Sequence, residues 1–135
     1  MGIRYKKTQI LCIFFMGISF LAEGSKAVTN ESLYVACKSW ADKNFNPDRA
    51  TVSDIECIAY VVGILDTSDY LCDLGKVTND IALKAQATHN AKLQVNAIIQ
   101  SYVNDMSANP EAWKYTAGPR VLNVAKDLTP CVSTN

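Results

Sequence analysis

The residues best suited to chemistry in this chain are a few carboxylates and a single histidine. Asp66 and Asp69 are three positions apart, so a helix would place them on one face, where paired carboxylates can act as general acid and base. No basic or metal-binding residue stands beside them in the sequence, and His89 lies in a polar segment without a serine or cysteine motif. No glycine-rich phosphate loop is found either. We therefore expect a protein that is not an enzyme, with no catalytic residues and no cofactor.

Four cysteines follow the first 27 residues: Cys37, Cys57, Cys72 and Cys131. An even number of cysteines in an exported chain indicates disulfides, with three possible pairings. No two of them have the C-x-x-C spacing, and the only histidine is distant in sequence, which argues against a zinc site. We expect all four to be oxidised, so that no thiolate nucleophile remains.

The first 27 residues have the layout of a secretory signal peptide. Three basic residues, Arg4, Lys6 and Lys7, precede an apolar run of 13 residues, and Ser25-Lys26-Ala27 supplies a small-x-small cleavage site. A membrane-spanning helix needs roughly 20 apolar residues, so this run is short for an anchor. We expect residues 1–27 to be removed and residues 28–135 to form one domain without stable membrane insertion.

The charge of residues 28–135 bears on the class of partner. The full chain has 13 basic and 13 acidic residues, and removing four basic residues and one acidic residue leaves 9 and 12, a net charge of −3. A nucleic-acid-binding protein would show a basic stripe, so we expect no nucleic-acid partner.

Hydrophobic spacing predicts four main helices and no strand of any length. The first begins near Asn30, and the second begins at Ser53 with Glu56 completing a capping box. The second helix is expected to bury Ile55, Ile58, Val62 and Leu65. Residues 73–80 resemble a loop, residues 81–90 are ambiguous between helix and loop, a third helix runs over residues 91–107, and a fourth starts at Pro119. The predicted fold is all-α, a small disulfide-stapled domain like a four-helix bundle.

A narrower row of small residues, Ala59, Gly63 and Asp66, lies beside the apolar row of the second helix. Gly63 costs the helix about 1 kcal/mol relative to alanine, which close approach of another backbone would explain. A buried Asp66 would accept hydrogen bonds that hold the helix packing. The sequence does not decide whether this row packs within one subunit or across two subunits.

Helix register favours one disulfide pairing. Cys37 lies about seven residues before the turn between the first two helices and Cys57 about six after it, so an antiparallel hairpin places them at matching heights. The remaining pair, Cys72 and Cys131, would meet at one end of an up-down bundle. We therefore predict the pairs Cys37–Cys57 and Cys72–Cys131.

The order of these motifs resembles a known family. The chain has "LYVAC", then "CIAYVVGILD", a cysteine shortly after, then "NPE" and a terminal "RVLNVAKDLTPC". This is similar to the Rap/Tai family of type VI secretion immunity proteins, which have a C-x-x-Y-x-x-G-x-x-D-like helix and a final P-C. The family motif falls on Cys57, Tyr60, Gly63 and Asp66.

The resemblance implies a periplasmic protein that binds and occludes a peptidoglycan amidase toxin, and some members act as homodimers. The expected partners are therefore a cognate amidase effector and a second copy of the chain. The motif residues Tyr60, Gly63 and Asp66 would set helix packing. Residues 73–90 are longer than the family pattern predicts.

Toxin contacts are expected on a loop carried by the rigid scaffold. The polar segment of residues 73–90 offers Asp80, Lys84, His89 and Asn90 as candidate contacts. The alternative functions are a periplasmic chaperone or stress-binding protein and a secreted helical accessory factor. A chaperone would suppress aggregation of unrelated proteins, whereas an immunity protein would bind one toxin tightly.

Overall fold

The computed structural model describes residues 27–85 and 87–131, and this part of the chain is helical without any strand. Its five α-helices are α1 (Asn30–Asp42), α2 (Val52–Thr78), α3 (Ile81–Ala85), α4 (Val95–Ala108) and α5 (Ala117–Leu128). Short 3-10 turns occupy Pro47–Arg49, Ala91–Gln94 and Pro110–Ala112. The all-α prediction is confirmed, with α3 as a short addition to the four main helices. The predicted signal peptide, apart from Ala27, lies outside the described residues.

The four long helices pack as a ring around one core. Helix α1 contacts α2 and α4, and α5 contacts α4 and α2. The core is filled mainly by large side chains with no exposed area, which are Val61, Leu65, Ile98, Ile99, Tyr102, Met106 and Val121. Arg120 of α5 reinforces the ring, since its Nη2 donates to Asp105 Oδ1 of α4 at 2.6 Å.

The first helix begins at a different residue from the one predicted. Thr29 caps α1, because its Oγ1 accepts a hydrogen bond from the Ser32 N–H at 3.3 Å. Asn30 is buried instead, where its side chain donates to the Ala112 carbonyl and accepts from Tyr102 Oη at 3.0 Å. An asparagine that looks like a cap in the sequence therefore joins α1 to α4.

The start of α2 also differs from the prediction. Thr51 is the N-cap and Asp54 occupies the third helical position, in place of Ser53 and Glu56. The Asp54 carboxylate accepts from the Thr51 N–H at 2.6 Å and from Lys43 Nζ at 2.5 Å. The shift is favoured because Asp54 meets a lysine from the preceding loop.

The buried face of α2 matches the predicted one only in part, because Leu65 is fully buried and Ile58 packs against the core while Ile55 does not. Its buried residues are Asp54, Cys57, Val61, Leu65, Ser68, Cys72 and Gly75. Ile55, which we expected in the core, is 58% exposed. The helix also continues to Thr78, so residues 73–78 are helical rather than a loop, and Asn79 ends it in a left-handed conformation with φ 54°.

Both predicted disulfides are confirmed. Cys37 pairs with Cys57 at a Cα–Cα distance of 5.1 Å, and Cys72 pairs with Cys131 at 5.7 Å. Disulfides of this kind persist in oxidising compartments outside the cytoplasm. None of the helices in the described residues has the length and hydrophobicity needed to cross a membrane.

Candidate binding surface

Residues 79–90 connect α2 to the turn before α4, and we call them the α3 segment. Helix α3 packs on the end of α2. Gly75 makes this contact possible, since a Cβ there would lie 3.1 Å from both Leu83 Cβ and Lys84 Cγ. The Asp80 side chain starts α3 by accepting from the Ala82 N–H at 2.9 Å. The first half of the segment is therefore held against α2 at a glycine.

The second half of the α3 segment is anchored by buried hydrogen bonds. Thr88 is fully buried, and its N–H donates to Ser68 Oγ of α2 at 2.8 Å. Two backbone hydrogen bonds tie the same stretch to the end of the described chain, from the His89 N–H to Thr129 O and from the Cys131 N–H to Ala87 O. The Cys72–Cys131 disulfide then links these two paired stretches, residues 87–89 and residues 129–131, to α2.

His89 lies between two carboxylates of α2. Its Nδ1 is 3.4 Å from Asp69 Oδ1 and 4.0 Å from Asp73 Oδ1. Asp69 also accepts a hydrogen bond from the Asn90 N–H at 3.0 Å. Asn90 has φ 54°, a left-handed conformation that asparagine tolerates better than most residues. His89 and Asn90 therefore fix the course of the chain as it turns toward α4.

A metal site at this position is disfavoured by the state of the cysteine. Cys72, Asp73 and His89 bring potential ligand atoms within 4.8 Å of one another. Cys72 is bonded to Cys131, so its sulfur is not the thiolate that a metal requires. Asp73 and His89 are better described as neighbours of the Cys72–Cys131 disulfide.

The four candidate contact residues fall into two separate pairs. Asp80 directly precedes α3 and Lys84 lies on it, where Lys84 Nζ donates to Asn79 Oδ1 at 3.1 Å. His89 and Asn90 lie against Asp69 of α2. All four make contacts within the chain, so each contributes to the shape of the segment.

Among the described residues of the α3 segment, the exposed large hydrophobic side chain is one that the candidate contacts do not include. Ile81 is 77% exposed at the first position of α3, next to the turn that ends α2. An exposed isoleucine on a fixed turn offers apolar area whose burial by a partner would be favourable. The four contact residues predicted from the sequence are all polar and do not include it. The position of this isoleucine directly after the Thr78-Asn79-Asp80 turn is the feature of the sequence that indicates its exposure.

The predicted roles of two family-motif residues are wrong within this chain. Among residues 27–85 and 87–131, no other element has an atom within 4 Å of a Cβ built on Gly63, and Asp66 is exposed rather than buried. Tyr60 is half-buried and lies beside α5, where a Cβ on Gly118 would be 3.6 Å from its Oη. Tyr60 therefore keeps its predicted place beside another helix of the ring.

Comparison with known proteins does not decide the family. No protein-family model, curated protein or solved structure matches this chain. The similarity to the Rap/Tai immunity proteins stays a prediction from the motifs quoted above. The site itself is a short, anchored helical segment at one end of a disulfide-bonded helical ring.

Proposed function

We propose that this protein is a periplasmic immunity protein that binds a type VI secretion peptidoglycan amidase and blocks its active-site cleft. The observation that carries the proposal is the anchoring of the α3 segment. Gly75 holds its first half, and Thr88 with the Cys72–Cys131 disulfide holds its second half, while Ile81 remains 77% exposed between them.

The two disulfides support an extracytoplasmic site of action, where a peptidoglycan amidase would meet its inhibitor. A protein that works there cannot rely on reducing enzymes or on cytoplasmic partners. One disulfide links α1 to α2, and the other links α2 to Cys131, which follows α5. Two such covalent links suit a small inhibitor that must stay folded in that compartment.

The mechanism is steric occlusion by a surface that is already ordered. Each flexible side chain that a complex immobilises costs about 0.5–1.5 kcal/mol, and a fixed loop avoids the larger cost of ordering a backbone. In this chain the backbone of residues 87–89 is held by hydrogen bonds to Ser68 and Thr129. Ile81 would enter an apolar part of the cleft, and the polar side chains of Asp80 and Lys84 would surround it.

The test asks first whether a gene for a type VI amidase effector lies beside this one, and then whether this protein inhibits that amidase, measured as release of cleaved peptidoglycan fragments. Ile81→Glu places a charge at the centre of the proposed contact and should weaken inhibition by about 30-fold or more, the range of a central contact residue. Val35→Glu is the matched control, since Val35 is 62% exposed on α1, away from the α3 segment. It should inhibit like the wild type.

Two outcomes would contradict the proposal. Equal inhibition by both glutamate variants would show that the α3 segment does not contact the amidase. Absence of any inhibition by the wild type, together with suppression of aggregation of unrelated unfolded proteins, would favour the chaperone instead.

A further inference from the structure

The two disulfides differ in their access to solvent. Cys37, Cys57 and Cys72 have no exposed area, whereas Cys131 is partly exposed. Thiol–disulfide exchange starts at a sulfur that the attacking thiolate can reach, so Cys131 is where such a reagent enters. We therefore expect a reductant to open the Cys72–Cys131 link first and to leave the Cys37–Cys57 link closed.

Two further potential metal ligands lie beside the more accessible link. Sγ of Cys72, Nδ1 of His89 and a carboxylate oxygen of Asp73 all lie within 4.8 Å of one another. Zinc binds sulfur at about 2.3 Å and nitrogen or oxygen at about 2.0–2.2 Å, so the ligand atoms around one tetrahedral ion are about 3.3–3.8 Å apart. The three atoms are thus within about 1 Å of the spacing that a zinc ion requires.

The Nδ1 atom of His89 is available as a ligand. It is shielded from solvent and makes no hydrogen bond within the described residues, although it lies 3.4 Å from Asp69 Oδ1. That oxygen accepts from the Asn90 N–H instead. A buried polar atom without a partner is rare in native proteins, and a bound ion is one explanation. In the tautomer with the proton on Nε2, Nδ1 presents a lone pair to a metal.

The closed disulfide keeps metals out of this cluster, because zinc binds thiolates. A dithiol reductant removes the obstacle by exchange: one of its thiolates attacks Cys131 Sγ and displaces Cys72, and its second thiolate then displaces Cys131. The reductant leaves as a disulfide, having given two electrons and two protons to the cysteines. Each cysteine thiol loses its proton when it binds the ion.

The charges of the opened cluster are nearly balanced. The thiolates of Cys72 and Cys131 and the carboxylate of Asp73 carry three negative charges, against two positive charges on zinc. Lys76 Nζ lies 4.0 Å from Asp73 Oδ1 and offsets the remaining negative charge. Two sulfurs, one imidazole nitrogen and one carboxylate oxygen supply the four ligands of a closed structural site.

We propose that Cys72, Cys131, His89 and Asp73 form a zinc site when the Cys72–Cys131 disulfide is reduced. The ion replaces the covalent link, since its ligands come from α2, from the α3 segment and from the residue that follows α5. The α3 segment thus keeps its anchor in both oxidation states. The inference goes beyond the proposed function, because it concerns the metal and redox chemistry of the scaffold and needs no toxin.

The first test is the site of reduction. The oxidised protein is treated with a limiting amount of a dithiol, which is then removed under anaerobic conditions, and the free thiols are alkylated and mapped by mass spectrometry. Cys72 and Cys131 should be alkylated while Cys37 and Cys57 stay linked. Opening of the Cys37–Cys57 link first would overturn the proposal.

The second test is the affinity of the partly reduced protein for Zn²⁺, measured by competition with a chromophoric chelator. One ion should bind with an apparent Kd of about 50 nM or tighter at about pH 7, the range of structural zinc sites. Co²⁺ in place of zinc should give the visible absorption of a tetrahedral thiolate complex. The fully oxidised protein should not compete with the chelator, and equal binding by both forms would overturn the proposal.

Variants of the two other ligands distinguish a built site from a pair of thiols that binds metal alone. His89→Ala and Asp73→Asn should each weaken Zn²⁺ binding by the partly reduced protein at least about tenfold, since even outer-shell partners contribute that much. Asp48→Asn, in the exposed Pro47–Arg49 turn, is the matched control and should bind like the wild type. Wild-type affinity in either ligand variant would overturn the proposal. None of these measurements involves the amidase, so failure here leaves the proposed function untouched.

Discussion

At the scale of single residues, the carboxylate of Asp54 is a buried charge held by several hydrogen bonds. The side chain is fully buried at the start of α2. Burial alone would raise the pKa of Asp54, but hydrogen bonds from Lys43, Thr51 and Ser39 outweigh it and hold the pKa well below its usual range. Lys43 stands in the turn after α1, so this ion pair joins the first two helices close to their connection.

The lowered pKa predicts how stability depends on pH. An unfolded aspartate has a pKa of about 3.9, so ionised Asp54 stabilises the fold above that pH, and the contribution is lost as the pH falls through the lower folded pKa. Asp54→Asn should therefore reduce the Tm at about pH 7 and flatten its decline between about pH 4 and pH 2. Asp48→Asn, at an exposed position in the Pro47–Arg49 turn, is the control. Parallel Tm curves for wild type and Asp54→Asn would contradict the assignment.

At the scale of elements, the sequence predicts the number of long helices and the cysteine pairs, but only part of the buried face of α2. The Cys37–Cys57 pair follows because the two cysteines lie at similar distances from the turn between α1 and α2, which small errors in helix boundaries do not change. The Cys72–Cys131 pair is then the one that remains. The buried face is ambiguous because α2 carries apolar residues on all sides, with Ile55 outside and Val61 inside. Periodicity identifies a face only when the opposite side is polar. The exposed apolar residues of α2 are the structural cause of the wrong prediction for Ile55.

The candidate site was only partly predictable for a similar reason. Residues 73–78 are polar enough to resemble a loop, yet they continue α2 because Gly75 and Cys72 face α3 and the disulfide. Such long-range contacts do not change the local spacing of apolar and polar residues, so that spacing cannot predict them. The contact segment therefore stays a prediction from the sequence, while the exposure of its apolar residue Ile81 is visible only in the structure.

The anchoring of the α3 segment to α2 can be tested at one hydroxyl. Ser68→Ala removes the acceptor of the buried Thr88 N–H, and a buried donor left without a partner costs about 1–3 kcal/mol. We expect this loss in the free energy of unfolding by urea, with faster hydrogen exchange at the Thr88 amide. Thr67→Ala is the control, because Thr67 is exposed and its hydroxyl bonds only the Gly63 carbonyl of its own helix. Equal effects of the two substitutions would show that Ser68 does not hold the segment.

At the scale of the whole molecule, the fold depends on its oxidation state. The Cys37–Cys57 link closes a separation of 20 residues and the Cys72–Cys131 link one of 59. The chain-entropy model assigns about 3 and about 4 kcal/mol to loops of these lengths. Their sum, about 7 kcal/mol, is comparable with the total stability of a typical domain, about 5–15 kcal/mol. The domain should thus be able to fold stably only where its cysteines can be oxidised.

This dependence predicts that the chemically reduced chain is largely unfolded at about 37 °C, because loss of both links removes most of the stability of a domain this size. The measurement is thermal unfolding by circular dichroism with and without a phosphine reductant, with mass spectrometry to confirm four free thiols. Double substitution of Cys72 and Cys131 by alanine should fall between the two states, since the shorter link remains. A reduced chain that melts cooperatively at the Tm of the oxidised protein would place the stability in the helical core instead. In that case the disulfides would hold the α3 segment in position without being needed for the fold.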